Sequence, residues 1–258
     1  MNILAIGDVV GSSGCEFVRS HLAQIKKMKD IDICIINGEN SSDGNGITPI
    51  SAQHLFTSGA DVITTGNHVY KRREMYEMLD DDCAIIRPSN FNEHNPGKGY
   101  YIVDKGNAQV AVINLMGTMY MESLANPFAC IDKLLLQDDI KNCKIKIVDF
   151  HAEATSEKRA MGFYLDGKVS AIYGTHTHVQ TSDEQILSNG TGYITDIGMS
   201  GVIQSVLGVK PEIIIEKLKC NMPARFDYES GDCSICGCVF EIDKATGKTI
   251  SVERIEIR

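Results

Sequence analysis

Residues 2–8 read NILAIGD, a short apolar run that stops abruptly at a glycine and a carboxylate. The apolar part has the length and composition of a buried strand. Further stretches repeat the pattern, because each ends an apolar run at a glycine or at a side chain able to bind a metal. They are residues 37–40 (NGEN), 65–68 (TGNH), 149–151 (DFH) and 174–178 (GTHTH). Ligand-binding groups of α/β proteins gather beyond the carboxyl ends of the strands, so we expect these segments to meet at one sheet edge.

Strand-like runs alternate with helical patterns along most of the chain. Strands are predicted at residues 2–6, 31–36, 61–64, 100–103, 109–114, 145–149 and 169–173. Helices are predicted at residues 15–25, 48–58, 71–79 and 126–139, after Thr155 and from Pro211, and a final hairpin is predicted to turn at residues 245–248. No repeat, low-complexity stretch or linker interrupts this order. We therefore expect a single α/β domain over residues 1–258, built as a layered sandwich.

Composition narrows the class of partner. The chain can bury a sizeable core, since 43% of its residues are hydrophobic, and its formal net charge is −9. Its basic residues form only short blocks, such as Lys26-Lys27 and residues 71–73, which argues against long nucleic acid or an anionic membrane as a partner. A small anionic substrate is still compatible, if bound metals make its site locally positive. With no run long enough for a membrane span and no signal-peptide pattern in residues 1–8, a cytoplasmic location is predicted.

The nine cysteines are scattered and stand mostly within apolar runs, a pattern that favours reduced, buried thiols over disulfides. Cys233, Cys236 and Cys238 could begin a zinc site, but no second cysteine pair or histidine pair lies nearby in sequence to complete a tetrahedron. Cys236 and Cys238 also occupy alternate positions of a strand-like run. We therefore interpret them as small hydrophobic residues on one face of a strand.

The chemistry-bearing segments supply imidazole, carboxylate and amide oxygen, with no thiolate. That set suits a pair of borderline divalent metals. A bridging carboxylate can hold two such ions about 3.5–4 Å apart, the separation used for in-line displacement at phosphorus. Together, the segments predict a two-metal phosphoesterase site.

Taken singly, most of these segments have a simpler structural explanation. Asp8 could cap a following helix. Glu39-Asn40 and Asn67-His68 could each begin a turn. His151 could be a hydrogen-bonded buried histidine.

The stretch with His176 and His178 is harder to explain without a ligand. Alternation along an extended segment would point both rings the same way, which suits two ligands of one site. All the simpler explanations would have to hold at once for the metal-site interpretation to fail.

These segments resemble the sequence blocks of the calcineurin-like metallophosphoesterases, which read D-x-H, G-D-x-x, G-N-H-[DE], a lone histidine and G-H-x-H. The chain departs from that pattern in each of four blocks. Val10 replaces the histidine of the first block, Glu39 replaces the usual aspartate, Val69 replaces the acid of the third block, and Thr175 interrupts the last.

Those departures match the YmdB-like branch of the superfamily. The resemblance is carried by residues 114–117 (NLMG), 150–158 (FHAEATSEK), 174–181 (GTHTHVQT) and 195–199 (TDIGM), and it reaches the hairpin at 242–248. It implies a four-layer αββα sandwich of the calcineurin-like metallophosphoesterase type. It also implies two metal ions, iron or manganese, and hydrolysis of 2′,3′-cyclic nucleotides to 3′-nucleotides.

The resemblance further implies a role for each matching residue. One metal would be held by Asp8, Glu39, Asn40 and His178, and a second, also bridged by Glu39, by Asn67, His151 and His176. A hydroxide held between the metals would attack phosphorus. His68 would be the catalytic residue that gives a proton to the departing 2′ oxygen.

Other functions remain open from the sequence. A broader phosphomonoesterase or protein phosphatase could use the same metals, and a regulatory protein could sense a nucleotide there with only incidental hydrolysis. The expected partner is a small cyclic nucleotide or another small phosphoester, and a homo-oligomer is a default expectation. Residues 41–46 and 117–126 could contact substrate, although a flexible connection and ordinary core packing explain them as well.

Overall fold

The computed structural model describes residues 1–42, 45–81 and 83–258, and all elements named below lie in these ranges. The helices are α1 (Gly11–Met28), α2 (Pro49–Ser58), α3 (Met75–Asp80), α4 (Pro127–Leu135), α5 (Asp138–Asn142), α6 (Thr155–Leu165) and α7 (Pro211–Cys220). The strands are β1 (Asn2–Ile6), β2 (Asp8–Val9), β3 (Ile31–Asn37), β4 (Val62–Thr64), β5 (Ile85–Ile86), β6 (Tyr100–Asp104), β7 (Gln109–Met116), β8 (Ile145–His151), β9 (Ala171–Thr175), β10 (Gln185–Ile186), β11 (Gly192–Ile194), β12 (Met199–Val202), β13 (Cys233–Ile242) and β14 (Thr249–Ile257).

Within the described residues, the strands form two sheets. The first has the order β2-β12-β13-β1-β3-β4-β5, with β14 also paired to β13, and the second has the order β10-β11-β9-β8-β7-β6. Strands β1, β3, β4 and β5 pair in parallel, as do β7, β8, β9 and β11. Parallel pairing sends the carboxyl ends of these strands to the same edge, which is where the chemistry-bearing segments begin.

The sheets pack face to face through a cluster of fully buried aliphatic side chains. Ile33 and Ile35 of the first sheet meet Val112 and Ile147 of the second in this cluster. A second cluster packs α1 and α2 against the first sheet, and a third packs α4, α5 and α6 against the second sheet. The buried apolar area of both sheets therefore fixes the edge on which the site is built.

The structure confirms the apolar spacing predicted for α1 and the N-terminal cap predicted for α2. In α1, Cys15, Val18, Leu22 and Ile25 are all buried, as their three- and four-residue spacing predicts. In α2, the Thr48 side chain accepts a hydrogen bond from the backbone of the third helical residue, and proline occupies the first turn.

Some boundaries differ from the sequence prediction. The single helix predicted at 126–139 is two helices, α4 and α5, because Leu136 and Gln137 bond to carbonyls three residues back and Gln137 then adopts an extended conformation. Residues 71 and 72 are irregular and residues 73 and 74 form a turn, so α3 begins only at Met75. Strand β9 runs to Thr175, two residues beyond the predicted end.

The cysteines near the end of the chain lie on β13. Cys238 is fully buried in the cluster between the sheets, Cys233 is buried and Cys236 is half-buried, and all nine cysteines are free. Among the described residues, none of these three belongs to a group of side chains placed to bind a metal. The interpretation as small hydrophobic strand residues is confirmed for Cys238.

The part of the chain that the structure describes contains no helix that is both long enough and apolar enough to cross a membrane.

Candidate metal centre

The five sequence segments converge at one edge of the two sheets. Asp8 starts β2, Glu39-Asn40 follows β3, and Asn67-His68 follows β4, while the second sheet contributes His151 at the end of β8 and residues 176–178 after β9. Hydrogen bonds or close contacts link the side chains of all these groups, apart from Thr177. The edge predicted from strand polarity is therefore where the structure brings them together.

One half of the centre surrounds Nε2 of His151. Asn67 Oδ1 lies 3.0 Å from this nitrogen, His176 Nδ1 3.1 Å and Glu39 Oε1 3.2 Å. Potential ligand atoms of Glu39, His151 and His176 all lie within 4.8 Å of one another. Because oxygen and nitrogen lone pairs converge on one point here, a cation is the ligand that this half fits.

The other half lies around His178. Its Nε2 is 3.2 Å from Asn40 Nδ2 and 3.6 Å from Asp8 Oδ1, the latter too long for a hydrogen bond. Asn40 Nδ2 also donates to Glu39 Oε1 at 3.1 Å. The Glu39 carboxylate therefore touches both halves, as a bridging group would.

Asp8 does not cap a helix. The N-cap of α1 is Val10, and it makes no side-chain capping bond. The Asp8 carboxylate instead accepts a hydrogen bond from the backbone N–H of His176 at 3.2 Å, within the centre. The simpler explanation of Asp8 is thus wrong.

The buried charges of the centre compensate one another. Burial alone would raise the pKa values of Asp8 and Glu39, but His178 beside Asp8 and His151 beside Glu39 outweigh burial and lower both. Burial would lower the pKa of His151, but Glu39 and other carboxylates outweigh it and raise that pKa to about 9. Burial and the nearby His151 lower the pKa of His176 to about 4. The carboxylates are ionised, and the centre favours positive charge between them.

Two buried atoms of the centre lack a hydrogen-bond partner among the described residues. They are Asp8 Oδ1 and His178 Nδ1. Buried polar atoms without partners are costly, and a metal ion would satisfy the carboxylate oxygen. The donor set and these two atoms together fit a centre of metal ions.

Asn40 fits such a centre only in one orientation of its amide. In the described orientation, the nitrogen faces Glu39 and His178, and the oxygen accepts from His68 Nδ1 at 2.8 Å. Amide oxygen and nitrogen have nearly the same shape, so a half-turn of the amide exchanges them. The oxygen then faces His178 and Glu39, where a ligand atom is needed.

Gly66 has no side chain, and this makes room for two groups of the centre. A Cβ at this position would lie 2.2 Å from the His151 ring and 2.3 Å from Glu39 Oε2. No side chain can be accommodated there without displacing one of these two groups. A glycine is therefore required at position 66 because the His151 ring and Glu39 lie too close for any side chain, and not because of its backbone angles.

A hydrogen-bonded chain orients the His151 ring. His151 Nδ1 lies 2.9 Å from Thr175 Oγ1, which donates to Asp149 Oδ1 at 2.7 Å. Since the threonine proton goes to the carboxylate, the threonine oxygen accepts the Nδ1 proton of the histidine. When His151 loses its Nε2 proton, as a metal ligand must, this chain keeps the other proton on Nδ1 and leaves the Nε2 lone pair facing the centre.

His176 and His178 do not lie on an extended segment, so the alternation argument from sequence is wrong. Their φ angles are +95° and +64°, both in the left-handed region. Residues of this kind pay a conformational cost there, and the surrounding structure has to hold them. The tight turn, not strand alternation, brings both rings to the centre.

A buried ion pair holds this turn. Lys158 Nζ lies 2.7 Å from Asp196 Oδ2, and both side chains are almost fully buried. Asp196 Oδ2 also accepts hydrogen bonds from the backbone and the hydroxyl of Thr177, at 3.2 and 2.6 Å. Lys158 on α6 is thereby connected to the residue between the two histidines.

His68 lies at the rim of the centre. Its backbone N–H donates to Glu39 Oε2 at 3.2 Å, and its ring lines the open cavity above the site. Burial lowers the pKa of His68, against the opposing effect of Glu39. The ring nitrogen not engaged by Asn40, Nε2, is the one available to a bound ligand.

The two loops considered from sequence differ in position. Asn45, from the loop at 41–46, lines the cavity, whereas residues 43 and 44 lie outside the described residues. No residue of 117–126 is among the described residues that line it. Thr118 and Met119 instead donate backbone hydrogen bonds to the buried carboxylate of Glu157, at 2.9 and 3.3 Å.

Comparison with known proteins identifies the family of this chain. A family model described as YmdB-like protein matches residues 4–255. A 2′,3′-cyclic-nucleotide 2′-phosphodiesterase of Bacillus subtilis (strain 168) is 45% identical over 257 residues, covering 100% of this chain and 97% of that protein. This chain belongs to the YmdB-like family.

Solved structures agree with the YmdB-like assignment. The crystal structure of a novel phosphatase from Mycoplasma pneumoniae has a TM-score of 0.94 and 34% identity, covering 100% of this chain and 93% of that one. A 5′-nucleotidase from Candida albicans, at 14% identity, has a TM-score of 0.56 and covers 99% of this chain and 50% of its own. The latter shares only the fold. The predicted mixed α/β class is confirmed.

Sequence reasoning missed several groups of this YmdB-like centre. In the sequence, Thr175 stands out only as an interruption of a motif, although in the structure it orients His151. A carboxylate inside the apolar strand β8 was a usable signal, because Asp149 can be buried there only with hydrogen-bond partners. Nothing in the sequence pairs Lys158 with Asp196, which stand far apart in the chain.

Removing the threonine hydroxyl should weaken metal binding. We expect Thr175→Val to lower the affinity of the metal-stripped protein for Mn²⁺ by about 10- to 100-fold, because the His151 ring loses its orienting partner. Calorimetric titration measures this without reference to activity. Thr175→Ser keeps the hydroxyl and should bind Mn²⁺ nearly as the parent does. Equal affinities of the valine and serine variants would contradict the orienting role.

Proposed function

We propose that this YmdB-like protein is a metal-dependent phosphodiesterase that hydrolyses 2′,3′-cyclic nucleotides to 3′-nucleotides. The observation that carries the proposal is the buried Glu39 carboxylate, which contacts both halves of a centre of imidazole, carboxylate and amide groups. The 45% identity to a relative named for this activity, over the whole chain, supports the choice of substrate.

The metal-binding residues divide between the two halves. Asp8, Asn40 and His178 would hold one ion and Asn67, His151 and His176 the other, with Glu39 shared between them. Iron and manganese suit these oxygen and nitrogen ligands. When bound, the two ions supply an activated water and neutralise the charge that builds on the phosphoryl oxygens.

The protein's own groups position the substrate and move a proton. Hydrolysis forms one bond from phosphorus to a water oxygen and breaks the bond from phosphorus to O2′, and O2′ must gain a proton. His68 lines the cavity and is held through Nδ1 by Asn40, so its Nε2 is the group placed to give that proton. With the Asn40 oxygen turned toward the metal ligands, the amide nitrogen would donate to His68 Nδ1 and keep the ring proton on Nε2.

We also propose a specific layer arrangement for the fold. Three separate apolar clusters, two between helices and a sheet and one between the sheets, support a four-layer αββα sandwich of the calcineurin-like type. The cytoplasmic location and the homo-oligomer remain predictions from the sequence.

The substrate is tested by comparing two cyclic isomers. Protein reconstituted with iron or manganese should cleave 2′,3′-cyclic AMP to 3′-AMP and leave 3′,5′-cyclic AMP intact, and metal-stripped protein should cleave neither. Cleavage of a phosphopeptide instead would favour the protein-phosphatase alternative. Two bound metals with neither isomer cleaved would contradict the proposal and favour a nucleotide sensor.

The proton-donor role is tested separately from metal binding. His68→Ala should lower kcat by about 10²- to 10⁴-fold, the usual contribution of a positioned acid or base. Its metal content should stay that of the parent. His21→Ala, on α1, provides a matched control that should change neither. Parallel loss of metal and turnover in the His68 variant would make His68 a ligand or a structural residue.

A further inference from the structure

The cavity above the metal centre has a lining of two kinds. It encloses about 420 Å³, within the usual size of small-molecule sites. Part of its lining is the centre itself, including Glu39, His68 and His178. Another part is a set of apolar and aromatic residues, here called the apolar wall: Val206, Leu207, Val209, Ile214, Phe226 and Tyr228. Phosphate hydrolysis at the metal centre makes no use of such a wall.

Backbone hydrogen bonds hold the apolar wall in place. Val206 and Val209 bond to each other in both directions, at 2.8 and 3.0 Å, and close a tight turn. Val209 also forms a bridge with Tyr228, and Glu229 N donates to Gly208 O at 2.9 Å. These bonds fix the part of the wall formed by Val206, Val209 and Tyr228 before any ligand arrives, which favours binding.

Leu207 occupies an unfavourable conformation in that turn. Its φ is +55°, in the left-handed region that glycine and asparagine adopt far more readily than leucine. The residue is 46% exposed, so burial in the core does not offset this cost. A half-exposed leucine in this conformation beside a cavity is therefore a candidate for contact with a ligand.

Phe226 is a second half-exposed apolar group of the wall, at 43% exposure. Lys217 Nζ, on α7, lies 4.6 Å from the centroid of its ring, a cation–π contact that restrains the ring. A restrained aromatic ring next to a cavity is the kind of group on which nucleobases stack.

We propose that the apolar wall binds the nucleobase of the substrate, with Phe226 and Leu207 against the flat face of the base. This inference rests on the proposed function, because the metal centre takes the cyclic phosphate and leaves the base to the rest of the cavity. Apolar contacts carry no hydrogen-bond code, so the wall accepts every base and favours purines, which have the larger face.

The test compares a substrate that has a base with one that lacks it. Hydrolysis of 2′,3′-cyclic AMP and of glycerol 1,2-cyclic phosphate is measured for the parent, Leu207→Asn and Phe226→Ala. Phe226→Ala should lower the ratio of kcat/KM for 2′,3′-cyclic AMP to kcat/KM for glycerol 1,2-cyclic phosphate by about 5- to 100-fold, the usual effect of losing one stacking contact. Leu207→Asn should lower the same ratio by about 10-fold or more, because the apolar contact of the leucine side chain is lost. Asparagine tolerates a positive φ, so Leu207→Asn keeps the turn while removing the apolar contact.

Leu218→Asn provides the matched control. Leu218 lies on α7, is exposed and does not line the cavity, so this variant should leave the ratio unchanged. An unchanged ratio in the wall variants, whether both kcat/KM values stay the same or fall equally, would overturn the role of the wall.

Measurements on the parent enzyme distinguish the base-binding proposal from the proposed phosphodiesterase function. Equal cleavage of both substrates by the parent would keep the phosphodiesterase and overturn base binding. Cleavage of neither would overturn the proposed function itself, and the role of the wall with it.

Discussion

The buried carboxylate of Glu39 determines how the rest of the centre has to be built. It is removed from solvent, and a charge in that position is stable only with positive charge or strong hydrogen bonds around it. His151, Asn40 and the backbone of His68 supply these contacts. They come from different strand ends, so parallel strands in two facing sheets are needed to bring them together. The group that we propose as the bridging metal ligand is therefore also a constraint on folding.

The surrounding structure fixes this group at some cost to stability. Gly66 stays bare so that the His151 ring and Glu39 can approach each other. His176 and His178 adopt left-handed conformations, and the Lys158–Asp196 pair holds the turn between them. Strain and buried charge of this kind are typical of sites selected for chemistry rather than for stability.

Much of the fold and the candidate site could be predicted from the sequence, because the apolar runs form the strands and the polar residues after them lie at the site. Apolar runs that end in polar residues identified the strand ends of Asp8, Glu39 and His151. His176 and His178 were correctly expected at the centre, but the extended conformation predicted for them was wrong, since a left-handed turn leaves no periodic pattern. The apolar wall gave no signal either, because Val209 and Tyr228, far apart in the chain, come together only through backbone bonds made in the folded protein.

The central claim, that Glu39 joins two metal ions, is tested most directly by electron paramagnetic resonance of protein loaded with two Mn²⁺ ions per chain. Two Mn²⁺ ions that share a bridging ligand lie about 3.5–4 Å apart and are magnetically coupled. We therefore predict a coupled two-ion spectrum for the parent protein, and its loss in Glu39→Gln. The spectrum of two isolated Mn²⁺ ions in the parent protein would contradict it.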